Sequence, residues 1–191
     1  MSAVVPELVV LLDEEGEAVG TADKALVHHA RTPLHLAFSC YLLDPEGNVL
    51  LTQRALGKRT FPGVWTNSCC GHPAPGERLD DAVRRRVEQE LGVVATDVRL
   101  VLPGFRYRAE QAGIVENEMC PVHVAVVEGP LSVDPAEVEQ VRWEPWRDFR
   151  ESVLTSGRQV SPWCREQVEQ LPADLAGAAT ASAQRLPPAA R

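Results

Sequence analysis

The chain has 191 residues, of which 45% are hydrophobic and 24% charged, and its formal net charge is −8. These ordinary values exclude a fibrous, disordered or membrane-spanning chain, and the negative charge argues against general nucleic-acid binding. Five irregularly spaced cysteines predict reduced thiols, and the N-terminus has no signal-like apolar run. We therefore expect a cytoplasmic monomer that binds neither nucleic acid nor membranes.

The first predicted elements are strands followed by one clear helix. Leu8 to Leu12 and Leu36 to Leu42 are predicted strands, and Val49 to Gln53 is predicted to return as a hairpin. Apolar residues then recur every four positions from Leu79 to Leu91, which predicts a helix, and Gly92 follows where a C-cap is expected.

The second half of the chain continues this mixture. Val122 to Val127 and Val141 to Trp143 are predicted strands. Ser161-Pro162 has the form of an N-cap and a first helical residue, starting a helix that runs to about Leu171. The remaining segment is rich in Ala and Pro and poor in large apolar residues. We expect one domain over residues 1–172 and a mobile tail over residues 173–191.

Two pairs of reactive side chains are candidates for a metal site. Cys70 and His72 lie two residues apart, as do Glu116 and Glu118, and such spacing places both members on one side of an extended segment. Imidazoles with carboxylates suit a zinc- or manganese-class ion. A lone histidine is more often structural, and a structural zinc needs four closed ligands. The candidate ligands are His28, His35, His72, Glu116 and Glu118.

Four basic residues are candidates for binding a diphosphate. Lysine occurs only at Lys24 and Lys58. Arg54 follows a predicted strand, and Arg86 lies four residues before Glu90 on one helical face. The alternative is a solvated charged face, and we assign Arg84 and Arg85 to it. The other four would supply the local basic cluster that an acidic chain needs to bind phosphate groups.

A longer pattern runs from Gly71 through Glu77 to the segment R-R-V-E-Q-E-L-G-V that ends at Val93. It resembles the Nudix box, a loop-helix-loop motif that binds a metal-bound diphosphate. Arg86 and Gln89 stand where that box normally carries carboxylates. The resemblance therefore implies weak hydrolysis, with Glu90 remaining as a candidate Mg²⁺ ligand.

Further segments are similar to the type I isopentenyl-diphosphate isomerases, a Nudix branch that does not hydrolyse its substrate. These segments are H-H-A-R-T-P-L-H-L-A-F-S, F-P-G-V-W-T-N-S-C-C-G-H-P, P-G-F-R-Y-R-A, G-I-V-E-N-E-M-C-P-V and S-P-W. They cover roughly Leu8 to Leu171 in matching order. The resemblance implies an α/β (α+β) Nudix fold, in which a mixed β-sheet lies between α-helices.

The same resemblance implies a role for each candidate residue. Cys70 matches the catalytic thiol, Glu118 with Tyr107 matches the opposite proton-transfer group, and Trp163 matches a ring that faces a carbocation. Zn²⁺ or Mn²⁺ is expected at the five candidate ligands, and Mg²⁺ at Glu90 with the substrate. Lys24, Arg54, Lys58 and Arg86 match the groups that bind the diphosphate.

Two properties of the adjacent cysteines are also expected. Cys69 should point away from the site and be structural, because neighbours in a strand face opposite sides. The Cys70 thiol, close to a metal site, is expected to ionise more easily than a free cysteine.

Two other functions compete with the isomerase. One is a Nudix hydrolase of a diphosphate substrate, which the outline of the box favours and Arg86 and Gln89 oppose. The other is a non-catalytic module that binds a metal or a diphosphate through the same residues. Such a module would not depend on Cys70.

Overall fold

The computed structural model describes residues 7–191, which form twelve strands and four α-helices. The strands are β1 (Leu8–Leu12), β2 (Ala18–Asp23), β3 (His35–Leu36), β4 (Phe38–Leu43), β5 (Asn48–Arg54), β6 (Trp65–Thr66), β7 (Cys69–Gly71), β8 (Thr96–Leu102), β9 (Arg106–Gln111), β10 (Ile114–Met119), β11 (Val122–Val126) and β12 (Val138–Pro145). The helices are α1 (Lys24–Val27), α2 (Leu79–Leu91), α3 (Trp146–Thr155) and α4 (Pro162–Gln170). Among these residues, no helix is long and apolar enough to cross a bilayer.

The strands form two mixed sheets. The larger has the order β12-β5-β4-β11-β8, with β6 beside β5 and β7 beside β4. The smaller has the order β2-β1-β3-β10-β9. One pair in each sheet is parallel, β4 with β11 and β3 with β10. The chain passes directly from the smaller sheet to the larger one twice, from β3 to β4 and from β10 to β11.

The larger sheet separates two hydrophobic cores. Along β4, Phe38, Cys40 and Leu42 face the core that contains the apolar stripe of α2. Tyr41 and Leu43 face the core that contains residues of α3 and α4. This alternation follows from the two-residue period of a strand. The sheet therefore lies between helices, as the Nudix resemblance predicted.

The predicted helix from Leu79 to Leu91 is confirmed at both ends. Its stripe residues Leu79, Val83, Val87 and Leu91 are all buried. Gly92 has φ 65°, in the left-handed region, and its N–H donates to the carbonyl of Glu88. A helix commonly ends with glycine in this conformation, because a side chain there would be strained.

The second predicted helix, α4, also begins where expected. The hydroxyl of Ser161 accepts from the backbone N–H of Cys164 at 3.3 Å, so Ser161 is the N-cap. The predicted strand over residues 36–42 is divided between β3 and β4. The predicted hairpin pairs β4 with β5 only through Leu43 and Val49, and β5 continues beside β12 and β6.

The segment after Pro172, for which we expect a mobile tail, contacts both hydrophobic cores. Leu175 is 1% exposed in the core beneath α3 and α4, and Leu186 is 7% exposed in the core beneath α2. The backbone N–H of Ala181 donates to the carbonyl of Leu100 at 2.8 Å. Although the segment has few large apolar residues, it needs no core of its own because it completes the two existing ones.

Replacing Leu175 with alanine tests this packing. We expect Leu175→Ala to lower the free energy of unfolding by roughly 2–5 kcal/mol, because it leaves a cavity in a closed core. Leu154→Ala is the matched control, since Leu154 is 40% exposed. Urea unfolding of both variants measures the difference. Equal stabilities would show that the segment does not pack in solution.

Candidate active site

Three imidazoles and one carboxylate converge from separate parts of the chain. His28 directly follows α1, His35 lies in β3, His72 directly follows β7, and Glu118 lies opposite His35 in β10. Glu118 Oε1 is 3.1 Å from His72 Nε2, 3.3 Å from His35 Nε2 and 3.8 Å from His28 Nε2. The four candidate ligand atoms all lie within 4.8 Å of one another.

The chemistry of this cluster fits a divalent metal ion. His35 Nδ1 lies 2.9 Å from the carbonyl of Pro33, so Nδ1 carries the proton and the Nε2 lone pair faces the cluster. The Nε2 atoms of His28 and His35 are buried without a hydrogen-bond partner. Neutral imidazoles and a carboxylate are ligands that zinc-class ions prefer.

Burial and the contacts within the cluster set the protonation of two of its members. Burial lowers the pKa of His72 to about 4, which leaves its ring neutral. Burial acts to raise the pKa of Glu118, but its contacts with the three imidazoles prevail and hold that pKa well below its usual range. A charged carboxylate with neutral imidazoles is the state that binds a metal.

Tyr107 connects this cluster to a second carboxylate. Its hydroxyl lies 2.9 Å from Glu118 Oε2 and 2.7 Å from Glu116 Oε2. Burial, reinforced by the two carboxylates, raises the pKa of Tyr107 well above its ordinary value, so the phenol keeps its proton. Glu116 and Glu118 share one face of β10, as predicted, but Glu116 contacts Tyr107 and lies outside the cluster of four ligand atoms.

The adjacent cysteines of β7 face opposite sides, as predicted. Cys69 is buried in the core beneath α2, whereas Cys70 lines the cavity beside the histidines. Burial raises the pKa of the Cys70 thiol to about 11, despite hydrogen bonds that act in the other direction. Loss of solvation thus outweighs the polar contacts of the thiol and acts in the direction opposite to the easier ionisation that is expected near a metal ion.

One cavity of about 240 Å³ gathers most of the predicted residues. Its lining includes Lys24, His28, Arg54, Lys58, Cys70, His72, Arg86, Tyr107, Glu116, Glu118 and Trp163. Two predicted residues lie outside this lining. His35 is fully buried behind the cavity but contacts Glu118, and Glu90 lies beside Arg86.

The four basic side chains already have partners at the cavity. Lys24 contacts Glu7 at 2.6 Å, and the Arg54 guanidinium donates to the carbonyl of Thr60 at 2.9 Å. Lys58 forms an ion pair with Glu137. Arg86 contacts Glu90 and Glu137. A diphosphate would therefore replace carboxylate contacts at three of the four cations.

Arg86 and Glu90 lie on one face of α2, as predicted, and form an ion pair. Arg86 Nε donates to Glu90 Oε1 at 3.0 Å, and Arg86 Nη2 lies 3.2 Å from Glu137 Oε1. Burial raises the pKa of Glu90, whereas Lys58 and Arg86 overcome the burial of Glu137 and hold its pKa at about 2. Glu137 is a site residue that sequence reasoning missed.

Gly71 is a second residue that the prediction did not include. A Cβ built on Gly71 would lie 2.9 Å from Arg86 Cγ and 3.0 Å from the ring of Phe38. Only glycine therefore lets Arg86 cross β7 to reach the cavity, which gives a physical reason for the first glycine of the box-like pattern.

The fold has clear relatives among known proteins. The NUDIX domain matches residues 33–164. A solved protein of Deinococcus radiodurans superposes with a TM-score of 0.66 at 17% identity, covering 86% of this chain and 98% of that one. A MutT NUDIX hydrolase of Burkholderia pseudomallei gives a TM-score of 0.56 at 22% identity, covering 73% and 98%. The fold and its histidine–carboxylate cluster thus define a NUDIX-domain protein with a candidate metal centre.

Sequence relatives narrow this class. An isopentenyl-diphosphate Delta-isomerase of Mycolicibacterium vanbaalenii is 60% identical over 90% of this chain and 93% of its own length. One of Clavibacter sepedonicus is 52% identical over 96% of this chain and 97% of its own. The chain therefore belongs to the isopentenyl-diphosphate Delta-isomerase family, as its motifs predicted.

Proposed function

We propose that this protein is an isomerase that interconverts isopentenyl and dimethylallyl diphosphate in isoprenoid biosynthesis. The observation that carries the proposal is that Cys70 and Glu118 line the same cavity as four basic side chains. A thiol and a carboxylate provide two proton-transfer groups, and the basic side chains suit an anionic diphosphate. The names of the sequence relatives point to the same substrate.

The reaction adds a proton to C4 of an unactivated double bond and removes one from C2, with a tertiary carbocation between the two steps. We assign delivery to Glu118, whose Oε2 contacts the Tyr107 hydroxyl, and removal to Cys70. The forward step thus starts from a protonated Glu118 and a Cys70 thiolate, and it leaves the carboxylate and the thiol that the surroundings of these groups favour. The roles interchange in the reverse direction. The two groups come from different sheets, β10 and β7, which supports their access to opposite faces of a flat substrate.

Trp163 supplies an aromatic wall for the cationic intermediate. It is 1% exposed, with the ring of Phe61 5.1 Å away and the ring of Tyr107 5.4 Å away. The π face of a desolvated tryptophan stabilises a cation by about 2 kcal/mol. A closed aromatic wall also excludes water, which would otherwise trap the carbocation as an alcohol.

Two ions complete the proposal. Zn²⁺ or Mn²⁺ would be held by His28, His35, His72 and Glu118, with Glu116 adjacent, and Mg²⁺ would bind at Glu90 together with the diphosphate. When bound, such ions supply positive charge that orients carboxylates and neutralises phosphate oxygens. An ion that binds Oε1 of Glu118 would leave Oε2 in contact with the Tyr107 hydroxyl.

A hydrolase is the second candidate function, because solved neighbours include a NUDIX hydrolase. Phosphate hydrolysis in that class depends on clustered carboxylates at the helix. In α2, Glu88 and Gln89 are exposed, and the one buried carboxylate, Glu90, is paired with Arg86. This arrangement favours binding a diphosphate over cleaving it.

One assay separates these functions. The protein is incubated with isopentenyl diphosphate and Mg²⁺ in deuterated water, and the products are followed by proton and phosphorus NMR. We expect deuterium-bearing dimethylallyl diphosphate with its diphosphate intact. Inorganic phosphate would indicate the hydrolase instead, and unchanged substrate would leave a non-catalytic binding module.

The lysine at the cavity rim provides a separate prediction. Because Lys58 would bind the diphosphate equally in the ground and transition states, we expect Lys58→Ala to raise KM by about 10-fold and to change kcat by less than about 3-fold. Steady-state kinetics with isopentenyl diphosphate measures both. Arg84→Ala is the control, since Arg84 is exposed and pairs with Asp80 and Asp81. An unchanged KM would place Lys58 outside the binding site.

We also propose that the protein acts in the cytoplasm as a monomer. All five cysteines are free thiols, which fits a reducing compartment. One chain brings the candidate ligands, the Cys70 thiol and the basic side chains together in one cavity.

A further inference from the structure

We propose that Asn67 is a positioning residue: its Oδ1 accepts hydrogen bonds from both the Cys70 thiol and the Trp163 indole and so fixes the position of one relative to the other. Asn67 is fully buried between β6 and β7 and does not line the cavity. The inference rests on the proposed isomerase function, in which both of its partners contact the hydrocarbon. It assigns a role to a residue that touches neither substrate nor metal.

The orientation of the Asn67 amide is determined by its surroundings. Nδ2 donates to the carbonyl of Cys40 at 3.1 Å and to the carbonyl of Cys69 at 3.0 Å. Because both partners are acceptors, this end of the amide must be the nitrogen. Oδ1 therefore points the other way, and its position is fixed by two strands of the larger sheet, β4 and β7.

Oδ1 faces the two groups that the mechanism uses. Trp163 Nε1 donates to it at 3.1 Å, and Cys70 Sγ donates to it at 3.3 Å. The Trp163 indole has a single N–H, which has no other hydrogen-bond acceptor. Loss of Oδ1 would thus leave the indole N–H unpaired in a buried place and leave the Cys70 thiol with the Ser39 hydroxyl, 3.3 Å away, as its hydrogen-bond partner.

Asn67 also links two elements that are far apart in the sequence, β7 and α4. Cys70 belongs to β7, whereas Trp163 lies in the first turn of α4. Thr66, the neighbour of Asn67, contacts the N-cap hydroxyl of Ser161 at 2.7 Å, and the Ser161 N–H donates to the carbonyl of Trp65 at 2.8 Å. These contacts hold α4 against β6, and Asn67 Oδ1 orients the Cys70 and Trp163 side chains.

The functional consequence is an effect on turnover and not on substrate capture. The basic side chains that would bind the diphosphate do not contact Asn67, so KM should not depend on it. A misplacement of about 1 Å in a reacting group costs about 100-fold in rate. A displaced Trp163 ring would also admit water to the carbocation, which gives a trapped alcohol as a second product.

The first test uses the protein without substrate. The indole N–H signals of a ¹⁵N-labelled sample are recorded for the wild type and for Asn67→Ala, and Trp163→Phe identifies the signal of Trp163. We expect the Trp163 signal to move upfield in Asn67→Ala while the other tryptophan signals stay in place. An unmoved signal would overturn the inference, whatever reaction the protein catalyses.

The second test uses kinetics with isopentenyl diphosphate. We expect Asn67→Ala to lower kcat by about 100-fold, to leave KM within about 3-fold, and to produce a larger share of alcohol. Thr52→Val is the matched control, because it removes a buried hydrogen bond to the backbone carbonyl of Asn67 at 2.8 Å but leaves Oδ1 and both of its reacting partners in place. An equal loss of kcat in Thr52→Val would show that Asn67 acts only by supporting the fold.

A second variant covers the case in which Asn67→Ala does not fold. Asn67→Asp keeps an acceptor oxygen for Trp163 and Cys70 but loses the donors to the carbonyls of Cys40 and Cys69. We expect it to retain the downfield Trp163 signal and at least about 10-fold more kcat than Asn67→Leu, which has similar volume and no acceptor. Equal kcat in these two variants would overturn the inference.

Discussion

Replacing Cys70 with alanine should lower kcat by about 10⁴-fold, because the variant lacks one of the two proton-transfer groups. The fold should survive, since Cys70 lines the cavity and is only partly buried. Deuterium incorporation from solvent into the product, followed by NMR, measures the loss. Turnover at the wild-type rate would remove the thiol from the mechanism.

Cys69 provides the matched control for this prediction. It is the preceding residue in the same strand, but its side chain is buried on the opposite face, beneath α2. Cys69→Ala should therefore keep kcat within about 3-fold of the wild type and instead lower the melting temperature, because it leaves a small cavity. A similar loss of kcat in both variants would indicate a general effect of disturbing β7.

Replacing Glu118 with glutamine should remove both turnover and metal affinity. One oxygen of Glu118 contacts three imidazoles, and the other contacts Tyr107, so the neutral amide loses the charge at both places. We expect kcat to fall by at least about 10³-fold. We expect the affinity for Zn²⁺ or Mn²⁺, measured by titration of the metal-stripped protein, to fall by more than about 10-fold.

Glu116 separates the two effects of that substitution. Its carboxylate contacts the Tyr107 hydroxyl but lies outside the cluster of imidazoles. Glu116→Gln should therefore retain most of the metal affinity, while Glu110→Gln, an exposed change in β9, should change nothing. Glu118→Gln that binds metal as tightly as the wild type would contradict the assignment of Glu118 as a ligand.

Local sequence patterns predicted the elements whose signals lie within one segment. The stripe of α2 repeats every four residues and ends at Gly92, and α4 begins at a serine followed by proline. The strands β9 and β10 were missed, because one face of β9 carries exposed charged residues and one face of β10 carries the carboxylates of the site. The helix α3 was also missed, since it follows directly on β12 and has a proline at its N-cap.

The candidate site was predictable from family motifs but not from local patterns. Its ligands directly follow α1 and β7 or lie in β3 and β10, and only the packing of two sheets brings them together. Spacing alone suggested the pairs at residues 70 and 72 and at residues 116 and 118. It did not show that Glu116 would turn to Tyr107 while Glu118 turned to the histidines.

The residues that were missed have roles defined by contacts across the fold. Asn67 matters because its amide lies between two carbonyls and two reacting side chains, and no local pattern encodes such a position. Glu137 belongs to an acidic stretch before a predicted strand, and only the structure shows that it faces Lys58 and Arg86. The raised pKa of the Cys70 thiol likewise follows from burial, which its sequence neighbours do not reveal.

In the proposed mechanism, a thiol and a metal-anchored carboxylate lie on opposite faces of a small alkene whose anionic end is held by basic side chains. A crystal structure with isopentyl diphosphate, the saturated analogue of the substrate, would show the positions of both groups. We predict Cys70 Sγ and a Glu118 carboxylate oxygen on opposite sides of the carbon chain, each within about 3.5 Å of it. Both groups on one side, or a hydrocarbon bound outside this cavity, would be incompatible with this mechanism.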